Sequence, residues 1–251
     1  MRERVVLATR DSVTVPAALL VLAGAGWWWS GRMSGQMSRP MSMDMTAVSV
    51  SASGFIVAWV TMMGAMMFPA IIPAVRLYSR AAGSGRAAPT PLFVAGYLFV
   101  WSSIGVPAYF AWRALDGPIR DGVPWAGRLA GAVFVAAAIY QITPLKSACL
   151  RHCRSPLSFF LRQRSNLSRP LGAIRAGSSH GLICLGCCWA LMAVLITIGT
   201  MQIWWMLAFA AVIFAEKVSP VGERLAAFTA TGLGAAGLFL LVSPHLITRL
   251  T

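Results

Sequence analysis

An all-α, polytopic membrane protein of six or seven transmembrane helices is the fold class this sequence predicts, and three observations predict it. Charged residues make up 11% of the 251-residue chain, against about 25% in soluble domains. Mean hydropathy is +0.71. The arginines and lysines fall between apolar runs, as they do in chains that alternate across a bilayer. A net charge of +14 gathered on one face would suit nucleic acid. Spread between spans it does not, so the lipid bilayer is the expected partner and no nucleic acid is. Five cysteines, none in a stretch of extracellular character, argue against a secreted disulfide framework. Residues 1–251 read as one integral membrane domain.

Arg2, Arg4 and Arg10 precede the apolar run Val13 to Trp29. The order is that of a signal peptide, but the run ends on Trp27, Trp28 and Trp29 where a cleavage site needs small residues. Tryptophans there suit an interfacial anchor, so this is read as an uncleaved first span. Residues 31–53 form a polar external loop carrying Met33, Met37, Met41, Met43 and Met45. Gly54 to Val75 is the second span, Pro91 to Leu115 the third with Pro107 as a kink, and Ala126 to Pro144 the fourth. The fourth opens with Gly127 and Gly131, a spacing that permits close helix contact in lipid. Residues 145–177 are a basic cytoplasmic loop with Lys146, Arg151, Arg154, Arg162, Arg164, Arg169 and Arg175. Ser178 to Thr200 is the fifth span. Ile203 to Ala215 is short against the roughly 20 residues a hydrocarbon core asks for, and Leu225 to Val242 is the last.

Sulfur and imidazole recur at helical spacing. Cys184, Cys187 and Cys188 stand at i, i+3 and i+4, on one helical face, with His180 one turn before them. Cys149 and Cys153 stand at i, i+4 with His152 between, among basic residues that favour thiolate. Cys187 and Cys188 lie about 10 residues into their span, roughly 15 Å. Met66 and Met67, in a span running the opposite way, reach a comparable depth. Thiolates and thioethers select Cu(I) over hard cations. Met62, Met63, Met66 and Met67 serve equally as adaptable core packing. Met41, Met43 and Met45 have no core to pack in, and alternate spacing puts them on one side of an extended chain, suited to capturing Cu(I) from outside. Glu216 and Lys217 end the short span, where both side chains are expected to snorkel to water; a bridge from Glu216 to Arg151 or Arg154 is the alternative. There is no Gly-rich phosphate loop, no H-E-x-x-H and no acid dyad within a span, so nothing points to an enzyme.

Three blocks, Thr61 to Pro69, Tyr140 to Pro156, and His180 to Met192 running on to Glu216-Lys217, resemble a bacterial family of polytopic proteins described as predicted metal-binding integral membrane proteins, some of them called copper chaperones. The resemblance spans residues 55–220 and implies a helical membrane fold that handles metal. Delivery to a copper-accepting membrane or periplasmic protein is then the expected role. Two other readings of the cysteines stay open: a membrane thiol–disulfide carrier, and an inert structural subunit.

The Lys/Arg placement gives an orientation. With the N-terminus inside, fifteen fall on cytoplasmic segments and six outside (Arg32, Arg39, Arg113, Arg120, Arg128 and Arg249). A bias of this kind sets topology in bacterial inner-membrane proteins. A reporter fused after Arg86 or Arg169 is expected to read cytoplasmic, and one fused after Met43 external. An external signal at Arg169 would invert the topology and move the cysteines to the other side.

Overall fold

The structure is a computed structural model that describes residues 2–37, 51–82, 89–155, 160, 167–198 and 202–249. The described residues form helices and no strand. They are α1 (Arg2–Met37), α2 (Ala52–Ala81), α3 (Thr90–Arg120), α4 (Pro124–Gln141), α5 (Pro144–Arg154), α6 (Pro170–Ile198), α7 (Ile203–Val218) and α8 (Gly222–Val242), followed by a 3-10 turn, Pro244–Arg249. Among these, α2, α3, α6 and α8 are long and apolar enough to cross a membrane. The pair α4 and α5, bent by 65°, passes together as a possible fifth. The first apolar run lies within α1, and α7 has only 16 residues. All-α is therefore what the described helices establish, four or five of them long and apolar enough to span.

Several boundaries differ from the sequence reading for local reasons. The fourth span stops at Gln141, not Pro144, because Pro144 opens a new helix. Thr143 caps α5, its hydroxyl accepting from the Lys146 N–H at 3.3 Å, and proline is preorganised for the first helical turn. The stretch read as a loop from 145 to 177 thus holds α5 at its start and the first turns of α6 at its end. α6 begins at Pro170, eight residues before Ser178, for the same N-terminal proline reason. Pro107 sits inside α3, which runs on to Arg120; bilayer helices tolerate such prolines. α1 continues to Met37, so Met33 and Met37 are helical, not loop. Trp27 does not simply anchor at an interface, since its indole N–H donates to the Ala65 carbonyl on α2 at 3.1 Å.

α6 is the hub. It packs against α3, α4, α5 and α7, and it has the largest buried share of the four long spans. The α3–α6 contact is backbone-close because both helices present glycine at the crossing. A Cβ on Gly177 would run into the Phe93 carbonyl, and one on Gly96 into the Ile174 carbonyl. The α4–α8 pair is drawn together in the same way. A Cβ on Gly131 would lie 2.9 Å from the Gly237 carbonyl oxygen, and one on Gly127 would strike Pro244. The small-residue spacing evident in the sequence is thus used, with the opposing Gly237 supplying the second half. α2 joins α3 through Trp59, whose indole donates to the Trp101 carbonyl at 2.9 Å.

α7 is held by charge. Glu216, 2% exposed, accepts from Lys146 at 2.6 Å and from the Gln141 amide at 3.0 Å. Lys146 also donates to Gln141, which closes a three-residue network between α4, α5 and α7. Glu216 and Lys217 do not snorkel. The ion pair runs to Lys146 because the bend after Gln141 turns Lys146 inward, while Arg151 pairs at the surface with Glu223 at 3.1 Å.

Two outcomes follow for stability. Gly177→Ala or Gly96→Ala gains about 1 kcal/mol in helix propensity but must move a carbonyl that has nowhere to go, at about 1–3 kcal/mol. A lower thermal midpoint in detergent is expected, whereas Gly232→Ala, which meets nothing within 4 Å, should hold or raise it. Lys146→Met or Glu216→Met alone strands a buried charge, costing about 3–5 kcal/mol. The double variant should lose clearly less than the sum of the two, as a double-mutant cycle of unfolding midpoints would read.

Candidate metal centre

The i, i+3, i+4 spacing on α6 brings Cys184, Cys187 and Cys188 to one buried face, at 2%, 2% and 1% exposure. α5 crosses that face and lowers Cys153 onto it. The Cys153 and Cys187 sulfurs are 3.8 Å apart. Those of Cys153, Cys184 and Cys187 lie within 4.8 Å of one another, the three-residue cluster with metal-binding geometry among the described residues. The Cys187 and Cys188 thiols each donate to the Cys184 carbonyl at 3.0 Å. Cys188, one residue further along α6, flanks the cluster without joining it.

A lysine completes the site. Lys217 Nζ donates to Cys184 Sγ at 2.9 Å and lies 4.0 Å from Cys188 Sγ and 3.7 Å from Met67 Sδ. The Tyr97 hydroxyl is 3.1 Å from Cys184 Sγ. A charge buried this deeply needs a partner. Lys217 faces sulfur, not carboxylate, because the neighbouring Glu216 points the other way, to Lys146. An ammonium against thiol sulfur is a counter-charge for a thiolate, and three thiolates in one cavity need one. Sequence reasoning places neither Lys217 nor Tyr97 in a site. The signal is present for Lys217, since an ionisable group at the end of an apolar run is a functional candidate by default. Tyr97 gives none.

The remaining sequence candidates are spread around this core. Cys149, one turn before Cys153, is half-buried against α6 at Gly186, where a Cβ would come within 2.8 Å of its sulfur. It lies outside the three-sulfur group. His152 points away, exposed, with Nδ1 3.1 Å from the Ala148 carbonyl. A residue next to a buried one on a helix is turned about a quarter of the circumference from it. His180 is buried one turn before Cys184, with its ring centroid 6.0 Å from Phe93 and 6.2 Å from Tyr97. It packs in an aromatic nest beside the cluster. Met66 and Met67 are buried at 2% and 0%, with Met62 and Met63; of these, Met67 reaches the site through Lys217. Met41, Met43 and Met45 lie outside the described residues.

Three thiol sulfurs brought together by two helices, with a thioether nearby and no carboxylate within the group, make a donor set for a soft metal ion and not for a hard one. A search of the curated proteins and a search of the solved structures each found no match. A comparison with protein families gives PpoB2, described as copper chaperone, over residues 56–240. The match takes in the cluster, Lys217 and Tyr97, and extends further toward the C-terminus than the resemblance carried by the three sequence blocks. The chain therefore belongs to this copper chaperone family.

Proposed function

We propose that the protein binds Cu(I) at Cys153, Cys184 and Cys187 and passes it to an accepting protein, from a bacterial inner membrane that it crosses six or seven times with its N-terminus in the cytoplasm. The observation that carries the reading is the meeting of three thiol sulfurs from two helices within 4.8 Å. Cu(I) accepts two or three thiolates without a carboxylate or water. Three thiolates around one Cu(I) leave two negative charges, and the Lys217 ammonium beside Cys184 offsets one. Met67, 3.7 Å from the same ammonium, is the thioether placed to receive or relay the ion. In this reading α1 and α7 also cross the membrane, and Met41, Met43 and Met45 gather the metal outside it.

Protein purified without oxygen should bind about one Cu(I) through sulfur. Cys184→Ser, Cys187→Ser and Cys153→Ser should each lower the affinity at least tenfold in competition with a Cu(I) chelator, while Cys149→Ser and His152→Ala should leave it within twofold. An unchanged affinity in the triple serine variant would remove the cluster as the site. A second reading, thiol–disulfide exchange, is favoured by the 3.8 Å between Cys153 and Cys187. It would gain the upper hand if the wild type carries a 153–187 disulfide that a quinone or a thioredoxin-like protein turns over.

A further inference from the structure

The three-sulfur cluster has a mouth. A cavity of about 510 Å³ is lined by Ala70 and Pro73 of α2, Arg151, Cys153 and Arg154 of α5, and Lys217 of α7. Cys153 is the half-buried member of the cluster, while Cys184 and Cys187 are closed off behind it. An ion coming through this opening meets Cys153 first. The opening is cationic. Arg151 is answered by Glu223, but Arg154 has no ion pair among the described residues, and Lys217 faces sulfur. The C-terminal carbonyls of α5 and α7 return about half a negative charge each. Arg151, Arg154 and Lys217 still outnumber Glu223 and these two half-charges, which leaves a positive excess. A bare Cu(I) cation is repelled by such an entrance, and a complex with net negative charge is drawn in. The volume falls in the range of small-molecule sites, about 300–1,000 Å³.

We propose that this cavity is an entry site for an anionic bis-thiolate complex of Cu(I) with a low-molecular-weight thiol, seated by Arg154 and Arg151, and that Cys153 is the first protein sulfur to take the metal. The step is ligand exchange without oxidation or reduction. A bond forms between copper and Cys153 Sγ, one bond from copper to the small thiol breaks, and the Cys153 thiol proton leaves on the departing thiol. A second exchange at Cys187, 3.8 Å away, expels the other thiol in the same way. The ion, still Cu(I), then lies within reach of Cys184. The proposal rests on the cluster being the copper site.

Two donors separate charge from chemistry. Cu(I) presented with excess glutathione is a bis-thiolate with anionic tails, and Cu(I) with excess cysteamine is a bis-thiolate with cationic tails. Purified full-length protein in detergent should take copper from the glutathione complex at least tenfold faster at low ionic strength, in keeping with electrostatic steering. The difference should shrink in about 0.5 M salt, where screening is nearly complete. Arg154→Glu should erase the preference and Arg154→Lys preserve it, with the same copper content at equilibrium for all. Equal rates from the two donors in the wild type, or a preference indifferent to salt, would overturn the entry site even if Arg154→Glu fails to fold. So would equal slowing of both donors by Arg154→Glu. Absence of bound copper in the wild type at equilibrium would instead overturn the copper site, and the entry site with it.

Discussion

An ammonium set against sulfur, with no carboxylate to answer it, is the constraint around which the interior is arranged. Lys217 is 9% exposed, and a charge that deep destabilises the fold unless something of opposite sign stands beside it. The Cys184 sulfur at 2.9 Å takes that place. Glu216, next along the chain, would have been the obvious partner. It is instead engaged by Lys146 and Gln141. Two adjacent residues of α7 thereby face opposite ways, the carboxylate toward α4 and α5 and the ammonium toward α6. The division leaves a positive charge free to serve whatever negative charge the sulfurs carry.

That arrangement depends on helices lying closer than side chains ordinarily permit. Gly96 and Gly177 let α3 and α6 meet backbone to backbone, which carries Tyr97 to within 3.1 Å of Cys184. On the other side of α6, Gly186 leaves room for the Cys149 sulfur, so α5 can lie flat against the hub and deliver Cys153. Packing at this density is what fixes sulfur positions to within the tolerance of a metal site.

Much of this is legible in the chain, and what is not shares a cause. Apolar runs and charge placement mark where helices lie, and the i, i+3, i+4 spacing alone puts three cysteines on one face. The Lys/Arg pattern assigns the cysteine pair on α5 and the cysteines of α6 to one side, and the two helices do meet. Within the pair, only Cys153 joins the cluster, because choosing between residues one turn apart requires the crossing point of two helices, which no periodicity encodes. Glu216 and Lys217 mislead for the same reason. A charged pair at a span's end looks solvated unless the bend at Ile142 and Thr143, which turns Lys146 inward, is known. Counting apolar runs gives more spans than the four or five that length and apolarity support among the described residues, in part because α7 has only 16 residues, short of the length a hydrocarbon core asks for.

The 65° bend between α4 and α5 also bears on how the chain is assembled. Synthesis runs from the N-terminus, and segments fold as they emerge. Lys146 is made seventy residues before Glu216, so while α6 is being laid down its charge has no acid to meet. An unpaired lysine is held near water until one arrives. The ion pair that ties α5 to α7 therefore forms only once α7 has been made. The two sulfurs on α6 are neighbours from the moment their helix forms, whereas the third comes from a separate helix. The same short helix thus supplies both the acid that neutralises Lys146 and the ammonium that faces the sulfurs, so both charges enter the site together and late in the chain.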